Sequence, residues 1–514
     1  VGYPESNFAY DLPYSNETER RTSPCLRGLD FRVVDGYLLT NVIYRCLSGS
    51  TSIVCKVNDA FKRLSVADLY EEYKNGSRIF VFGENSNSIS LVSLGQMNEV
   101  ESEDLVSVKL AGGLPIETDS NHRFPVMDLE GSVSIKKIKD ANLGEFLLEP
   151  KYINCEVGNL HSVDVADFLR DRGLILRNLS LEHFKALREM GIEYSSSSRD
   201  KRNLNLSLFS SSEREQILNH PMFSNVEVSS LKSQRSLPRS LRISGETAFF
   251  FGLWLADGWF NEYSARLAVA NSKPELKEKV KLWLESEFDY SPSEEERDGC
   301  TVFDIAHKTF IDLMKSMGFK HGALEKELPD ALFKLTANGL HQVLEGWLQG
   351  DGGWSSSSSL ISSMSFIGKL LGRSFCYHRQ EAKSSYFNRD NRWLEGQECF
   401  SIQECSYNET VVYNGVEYIK RRIKSIDLLN RKEKLYDIGI DSDQHTFCCG
   451  QHFILTHNSW DLVSGFPTNM GGITLLNQYV AEHIGVNPGP LSFSCKDLHA
   501  YSMHYDYLRA RLNK

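Results

Sequence analysis

No apolar run in this 514-residue chain approaches the roughly 18 residues a membrane helix needs, and no charged-then-apolar leader opens it. The default expectation is a cytoplasmic protein with no membrane partner. Cysteines at metal-ligand spacing are missing too: the eleven present are scattered, apart from adjacent Cys448 and Cys449. An odd count in so long a chain reads as reduced thiols, with catalytic use open to one or two. Positive charge is not in excess. A net charge of −11 excludes a generic nucleic-acid coat but leaves room for a site-specific DNA enzyme with a local basic surface. Candidate patches are Arg199-Asp200-Lys201-Arg202, the Lys232 to Arg242 run and Lys420-Arg421-Arg422. Each alone reads more readily as a solvated face or a linker.

What is present is ordinary for a globular chain, at 41% hydrophobic and 24% charged residues. The length accommodates roughly three or four domains. Residues 1–45 are turn-rich, then alternate through Leu29, Phe31 and Val33, Asp35-Gly36, and Leu38 to Tyr44, a hairpin signal. Residues 46–126 are short β-runs broken by Gly, Asn and Ser, with a helix-prone piece near Val66–Lys74. Residues 127–240 are mixed, a linker or DNA-recognition region in which another helix-prone piece lies near Val163–Arg172. The Ser195–Ser198 run and the basic stretch holding Pro238 read as linkers. Residues 241–410 open on a helix with Ser244 as N-cap and Glu246 in its first turn. Strands resume over 411–458, and 459–514 change character again.

The chain is organised around Phe453-Ile454-Leu455-Thr456-His457-Asn458-Ser459. Asn458 can attack its own carbonyl through the side-chain amide, forming a succinimide and cutting the chain behind itself. His457 is placed to polarise that carbonyl, and Ser459 can hold an acyl group. For an isolated His-Asn-Ser, a polar turn after a buried strand would be the better reading. Cys46 stands far upstream, and Cys46 with Ser459 brackets roughly four-fifths of the chain. A thiol suits the upstream junction because thiolate is a strong nucleophile and a good leaving group.

Cys46, the block Thr118-Asp119-Ser120-Asn121-His122, Tyr436-Asp437, His445-Thr446-Phe447 and His457-Asn458-Ser459 follow one another in this order. The set resembles the intein family. In Thr118–His122 the threonine stands one residue further from the histidine than that family's usual spacing, with Asp119 in the aligned place. The resemblance implies an all-β horseshoe, the Hint fold, from residues 46–126 and 411–458, working without a cofactor. It implies that His122 protonates the upstream junction nitrogen, that His457 assists Asn458, and that Asp437 and His445 support the transfers.

Two further stretches repeat: Phe251-Gly252-Leu253-Trp254-Leu255-Ala256-Asp257-Gly258 and Glu345-Gly346-Trp347-Leu348-Gln349-Gly350-Asp351-Gly352. Either copy alone is a helix ending in an Asp-Gly turn. The pair resembles the LAGLIDADG homing endonucleases. That implies a two-repeat αββαββα unit, a Mg²⁺ ion at Asp257 and Asp351, and double-stranded DNA at the insertion site as partner. Lys326, in Lys326-Glu327-Leu328-Pro329, matches the family's lysine-before-proline block and would stabilise charge or tune the attacking water, a surface helix lysine being the plain alternative. The Ser355–Ser359 tract and a Ser-rich strand after it blur the second copy, whose own lysine has no evident position. A nuclease that has lost activity stays open.

Joining Arg45 to Ser459 gives Pro24-Cys25-Leu26-Arg27, a hairpin, Arg45-Ser459-Trp460-Asp461, Gly465-Phe466-Pro467-Thr468-Asn469 and His499-Ala500-Tyr501. This text resembles thymidylate synthase of the archaeal type. It implies Cys25 as the nucleophile on dUMP and Arg45 with Ser459 as phosphate ligands. Asp461 and Asn469 would read the base, and His499 and Tyr501 would hold the sugar. The cofactor implied is 5,10-methylenetetrahydrofolate, and the spliced synthase is expected to be a homodimer once its missing N-terminal half is supplied. A dCMP or dUMP hydroxymethylase is the alternative host, and the chain reads as a fragment or one piece of a divided gene. The expected fold class is multidomain α+β: an all-β Hint horseshoe interrupted by the LAGLIDADG unit and flanked by α/β synthase fragments.

Overall fold

The computed structural model describes residues 28–34, 37–43, 47–297, 299–382, 385–387, 392–394, 396–405, 409–440, 442, 444–457, 478–479, 482–483 and 487–488. Two compact units emerge, residues 1–153 with 409–514, and residues 154–408. The stretch 127–240 is thus divided between them. No helix among the described residues is long and apolar enough to cross a membrane.

In the first unit, hairpins follow from residues that accept positive φ. Asn58-Asp59 (φ 47° and 71°), Ser86-Asn87 (47° and 63°) and Asn414-Gly415 (48° and 75°) each close a two-residue loop. The flanking registers Val57↔Ala60, Asn85↔Ser88 and Tyr413↔Val416 make these the tight turns whose twist suits antiparallel strands. Gly28–Val34 and Tyr37–Ile43, on either side of Asp35-Gly36 in the sequence, are paired antiparallel as the alternation predicts.

A fifteen-stranded sheet carries the rest of this unit. Two long strands change partners along their length. Ser88–Ser102 pairs first with Ile79–Asn85 and then with Glu433–Ile440. Val416–Leu429 pairs with Phe146–Pro150 and then with Leu105–Leu110, its register shifting between Ile423 and Ser425. Such a shift bends a strand and lets one sheet serve two lobes. Leu47, Met97, Phe124, Ile438 and Ile454 belong to one buried cluster, so the beginning and end of the 47–457 stretch share a core. Arg421 lies in this sheet too, 2% exposed and 2.6 Å from Glu149, itself 0% exposed. The expected solvent patch at Lys420-Arg421-Arg422 therefore loses its middle member, because a buried carboxylate holds it.

The second unit contradicts two expectations. The Ser195–Ser198 run is not a linker: Ser195 caps the helix Ser196–Asp200, accepting from the Ser198 amide. Leu237-Pro238 is an edge strand of a four-stranded sheet, where a missing N–H is tolerated. This segment is tied to the helix Lys308–Met317, whose Thr309 hydroxyl donates to the Arg235 carbonyl at 2.7 Å.

The first repeat runs Gly245–Asp257, Gly258–Phe260, Ala265–Ala270, Pro274–Phe288, Ser293–Arg297, Cys300–Ile305 and Lys308–Met317, which is αββαββα. The second departs from that expectation. After Ala337–Asp351 comes one short strand, Trp354–Ser355, and then the helix Ser358–Leu370 where a Ser-rich strand was expected. Ser357 caps that helix, and the Ser362 and Ser363 hydroxyls donate to carbonyls four residues back, so the serines carry their own hydrogen bonds into the interior.

The two motif helices cross at their glycines. A methyl on Gly252 would lie 2.0 Å from the Val343 oxygen, and one on Gly346 would lie 2.0 Å from the Phe249 oxygen. Each glycine faces the carbonyl three residues before the other, a reciprocal close approach. Gly252→Ala is expected to destabilise this unit by about 3 kcal/mol, because the clash is with backbone that cannot rotate away. Helix propensity alone would favour alanine by about 1 kcal/mol, so the sign of the change in denaturation midpoint is the test.

Candidate functional site

The sheet gathers residues that the sequence spreads over four hundred positions. Leu47, which follows Cys46 in the chain, pairs with Thr118 on one side and with Tyr436 on the other. Asp437, next to Tyr436, is 8% exposed. His122 is 4% exposed, and its Nε2 is hydrogen-bonded to the Thr456 hydroxyl, 334 positions away. Its backbone N–H donates to Asp119 at 2.9 Å, and its ring meets Phe124 edge-on at 5.1 Å. Asp119 is fully buried and accepts from the Ser102 hydroxyl at 3.1 Å and the Asn121 amide at 2.8 Å, so it organises the turn that presents His122. Thr118 is also fully buried, on the strand beside Leu47.

His457 ends the strand Ile454–His457, opposite Thr446. His445, just before Thr446, is buried at φ 50°. The carboxylate of Glu84, 2% exposed, accepts from the Tyr418 hydroxyl at 2.6 Å and from the Thr446 hydroxyl. The buried contacts of Glu84 and Thr456 were not legible in the sequence. Burial pushes the Cys449 thiol up to about 12, as it does Cys55, so neither is a ready nucleophile. Cys46, Asn458, Ser459, Arg45, Cys25, Asp461, Asn469, His499 and Tyr501 lie outside the described residues.

A second cluster forms where the motif helices end. Asp257 and Asp351 close their helices, where the dipole disfavours a carboxylate. A methyl on Gly350 would come 3.6 Å from the Asp257 oxygen, which places that carboxylate against the end of the other helix. Burial and then the Asp351 charge raise Asp257 to about 6, and burial also raises Asp351. Lys326, 7% exposed, is lowered to about 8 by burial. Its ammonium donates to the Trp254 carbonyl at 3.5 Å and to that of Ala256, capping the first helix. Lys273 does the same for the second, donating to Gln349 at 2.5 Å and Gly350 at 3.0 Å. Lys273 was not among the residues expected to act here; it lies in the first repeat, directly before Pro274, as Lys326 stands shortly before Pro329.

No group of three or more His, Cys, Asp or Glu side chains suited to a metal occurs among the described residues. Two carboxylates whose charges repel in a buried setting nonetheless fit a hard divalent cation that keeps water or phosphate oxygens as its other ligands, the habit of Mg²⁺. The raised Asp257 fixes a sign. This carboxyl binds its proton more tightly in the folded chain, so it contributes stability below its ordinary 3.8 that is lost as pH rises through about 6. Thermal midpoints of the native chain and Asp257→Asn should therefore diverge across that window, with the native chain losing ground. A constant difference would mean the carboxyl is not perturbed.

Two family models match parts of the chain: a LAGLIDADG-like domain over residues 244–313, and thymidylate synthase over residues 445–514. The first match begins at the N-cap Ser244 and includes Asp257. The second takes in 459–514 together with the last two strands of the large sheet. An intein from a hyperthermophile is 18% identical over 21% of this chain and 72% of its own, with a TM-score of 0.19. The transcription factor IIB Mvu mini-intein is 13% identical over 22% and 72%, with a TM-score of 0.20. A variant of the homing endonuclease I-DmoI, in complex with its target DNA, is 12% identical over 31% and 88%, with a TM-score of 0.22. No curated protein matches the chain. A LAGLIDADG-like domain thus lies within the chain, and a thymidylate synthase segment lies at its C-terminal end.

Proposed function

We propose that residues 46–458 are an intein that excises itself and joins Arg45 to Ser459, and that the excised insert is a site-specific DNA endonuclease. The observation that carries the splicing reading is the His122–Thr456 hydrogen bond, with Leu47 seated between the strands of Thr118 and Tyr436. Residues next to both junctions thereby meet in one sheet.

Splicing then needs only groups of this chain. Cys46 Sγ adds to the Arg45 carbonyl carbon, the C–N bond breaks, and a thioester forms as the nitrogen takes a proton from His122. Ser459 Oγ displaces the thiolate and carries the acyl group as an ester. The Asn458 side-chain nitrogen attacks its own carbonyl, aided by His457, and expels the Ser459 amine with formation of a succinimide. That amine attacks the ester, and an ordinary amide joins the flanks. Asp437 and His445 support the transfers between strands.

In the nuclease, Asp257 and Asp351 would hold Mg²⁺, which supplies charge stabilisation at a phosphodiester and lowers the pKa of bound water. Lys326 and Lys273 hold the helix ends that present the two carboxylates. The partner is double-stranded DNA carrying the uninterrupted host sequence. The joined flanks are part of a dUMP-methylating synthase that uses 5,10-methylenetetrahydrofolate and functions as a homodimer. A second reading, splicing with an inactive nuclease, is favoured by the single short strand between the helices of the second repeat.

The test is to express the chain and weigh its products. The expected result is a ligated product near one-fifth of the precursor mass, roughly, beside the excised remainder. Asn458→Ala should block cleavage at the downstream junction and Cys46→Ala should prevent ligation. Ligated product from either variant would sink the mechanism.

A further inference from the structure

We propose that Thr456 is a positioning residue that fixes the tautomer of His122, placing the mobile proton on Nδ1. The inference rests on the splicing reading for its consequence and on geometry for its content. His122 and Thr456 are both buried, and Nε2 of the imidazole meets the Thr456 hydroxyl. That hydroxyl also lies 3.2 Å from the Arg123 carbonyl oxygen. A hydroxyl has one proton to give, and a carbonyl oxygen only accepts. The Thr456 proton therefore goes to Arg123, and the hydroxyl lone pair receives the proton on His122 Nε2. Both contacts are satisfied together only when Nε2 carries hydrogen.

The ring is also held in place. Its backbone is held at both ends, by His122 N–H to Asp119 at 2.9 Å and by Ile138 N–H to the His122 carbonyl at 2.8 Å. Phe124 packs edge-on against the imidazole. With Nε2 committed, the neutral ring carries its lone pair on Nδ1, and the imidazolium loses its proton from Nδ1. In the upstream step one C–S bond forms and one C–N bond breaks. One proton moves from Cys46 Sγ to the released amine nitrogen. Nδ1 can take that proton from the thiol and hand it on, so the ring is returned unchanged.

Thr456 stands two positions before Asn458, on the strand that leads into the downstream junction. The acid for the upstream junction is thus set by the strand that ends at the downstream one. Threonine in an apolar run reads as a β-branched residue filling a strand position, and valine would fill that position equally well. Only the hydroxyl distinguishes them.

The direct measurement is the ¹⁵N spectrum of the histidine-labelled full chain, kept intact by Cys46→Ala and Asn458→Ala, with His122 identified by a further His122→Asn change. The expected result is the Nε2–H form for His122, lost in Thr456→Val and retained in Thr456→Ser. A His122 found with hydrogen on Nδ1 and none on Nε2 overturns the inference. A kinetic arm uses the Asn458→Ala chain and dithiothreitol, which cleaves a thioester at Arg45–Cys46. Thr456→Val should slow that cleavage at least about ten-fold, while Thr456→Ser stays within about two-fold. An unchanged rate in Thr456→Val overturns it equally. If the chain with native Thr456 releases no fragment under thiol, the splicing reading fails, and the spectrum still decides the tautomer.

Discussion

Replacing His122 with alanine is expected to slow thiol-dependent cleavage between Arg45 and Cys46 by about 100-fold or more, the usual scale for losing a positioned acid–base group. The fold should survive the change. Asp119 receives the backbone N–H of residue 122, and Ile138 donates to its carbonyl, so the turn does not depend on the imidazole. What is lost from the interior is one ring that touches Phe124 and the Thr456 hydroxyl. The Thr456 hydroxyl keeps an acceptor in the Arg123 carbonyl, so that hydroxyl is not stranded. On the proposed mechanism, cleavage after Asn458 uses His457 and should persist in the His122→Ala chain. Mass spectrometry of the chain with and without dithiothreitol separates the two junctions. Thiol cleavage at the native rate would remove His122 from the upstream step and leave the Arg45–Cys46 bond without its assigned proton donor.

The residues expected to carry chemistry were legible because each stands in a short, chemically unusual string. A His-Asn-Ser after an apolar run and a doubled Gly-x-x-x-x-Asp-Gly both announce themselves locally. The first repeat was legible for a related reason: its strands and helices have clear ends, such as Ser244 before one helix and Pro274 at the start of another. Thr456 was hidden because its meaning lies in a partner 334 positions away, and nothing in the surrounding strand pattern encodes that pairing. Lys273 was hidden because a lysine before a helix reads as solvated, whereas here it reaches carbonyls on a different helix. Serine misled in two places. Ser195 was read as part of a linker and Ser357 as part of a tract that blurs the second copy, yet each caps a helix, and Ser362 and Ser363 then bury themselves by bonding to their own helix. A residue that can satisfy its hydroxyl locally serves turns, caps and buried helices alike, so its count in a window does not choose among them. Arg421 shows the same limit for charge, since only the fold reveals Glu149 beside it.

Asp257→Asn and Asp351→Asn should move stability and activity in opposite directions. Both carboxylates are raised by burial, and Asp257, pushed to about 6, also by the charge of Asp351, so a negative charge on either is held against its surroundings. Asparagine keeps the shape and removes the charge, and each substitution should therefore raise the thermal midpoint of the metal-free protein at pH 7. The same substitutions would remove half of the protein's share of the proposed divalent-cation site. Cutting of DNA that carries the uninterrupted host sequence, assayed with Mg²⁺, is expected to fall by about 100-fold or more in each. The Mg²⁺-induced rise in midpoint should shrink in parallel. Lys326 gives the result a further edge. Its ammonium is favoured by both carboxylates against a burial that lowers it to about 8, so losing either acid lowers it further. Part of the gain from removing a carboxylate is offset by this second buried charge, and the rise should be larger in a chain that also carries Lys326→Met. A fall in midpoint with either asparagine would show that the two acids are held by favourable contacts instead of tolerated for function. DNA cutting that survives both would separate the nuclease from the helix ends and leave Gly252 and Gly346 as a packing device alone.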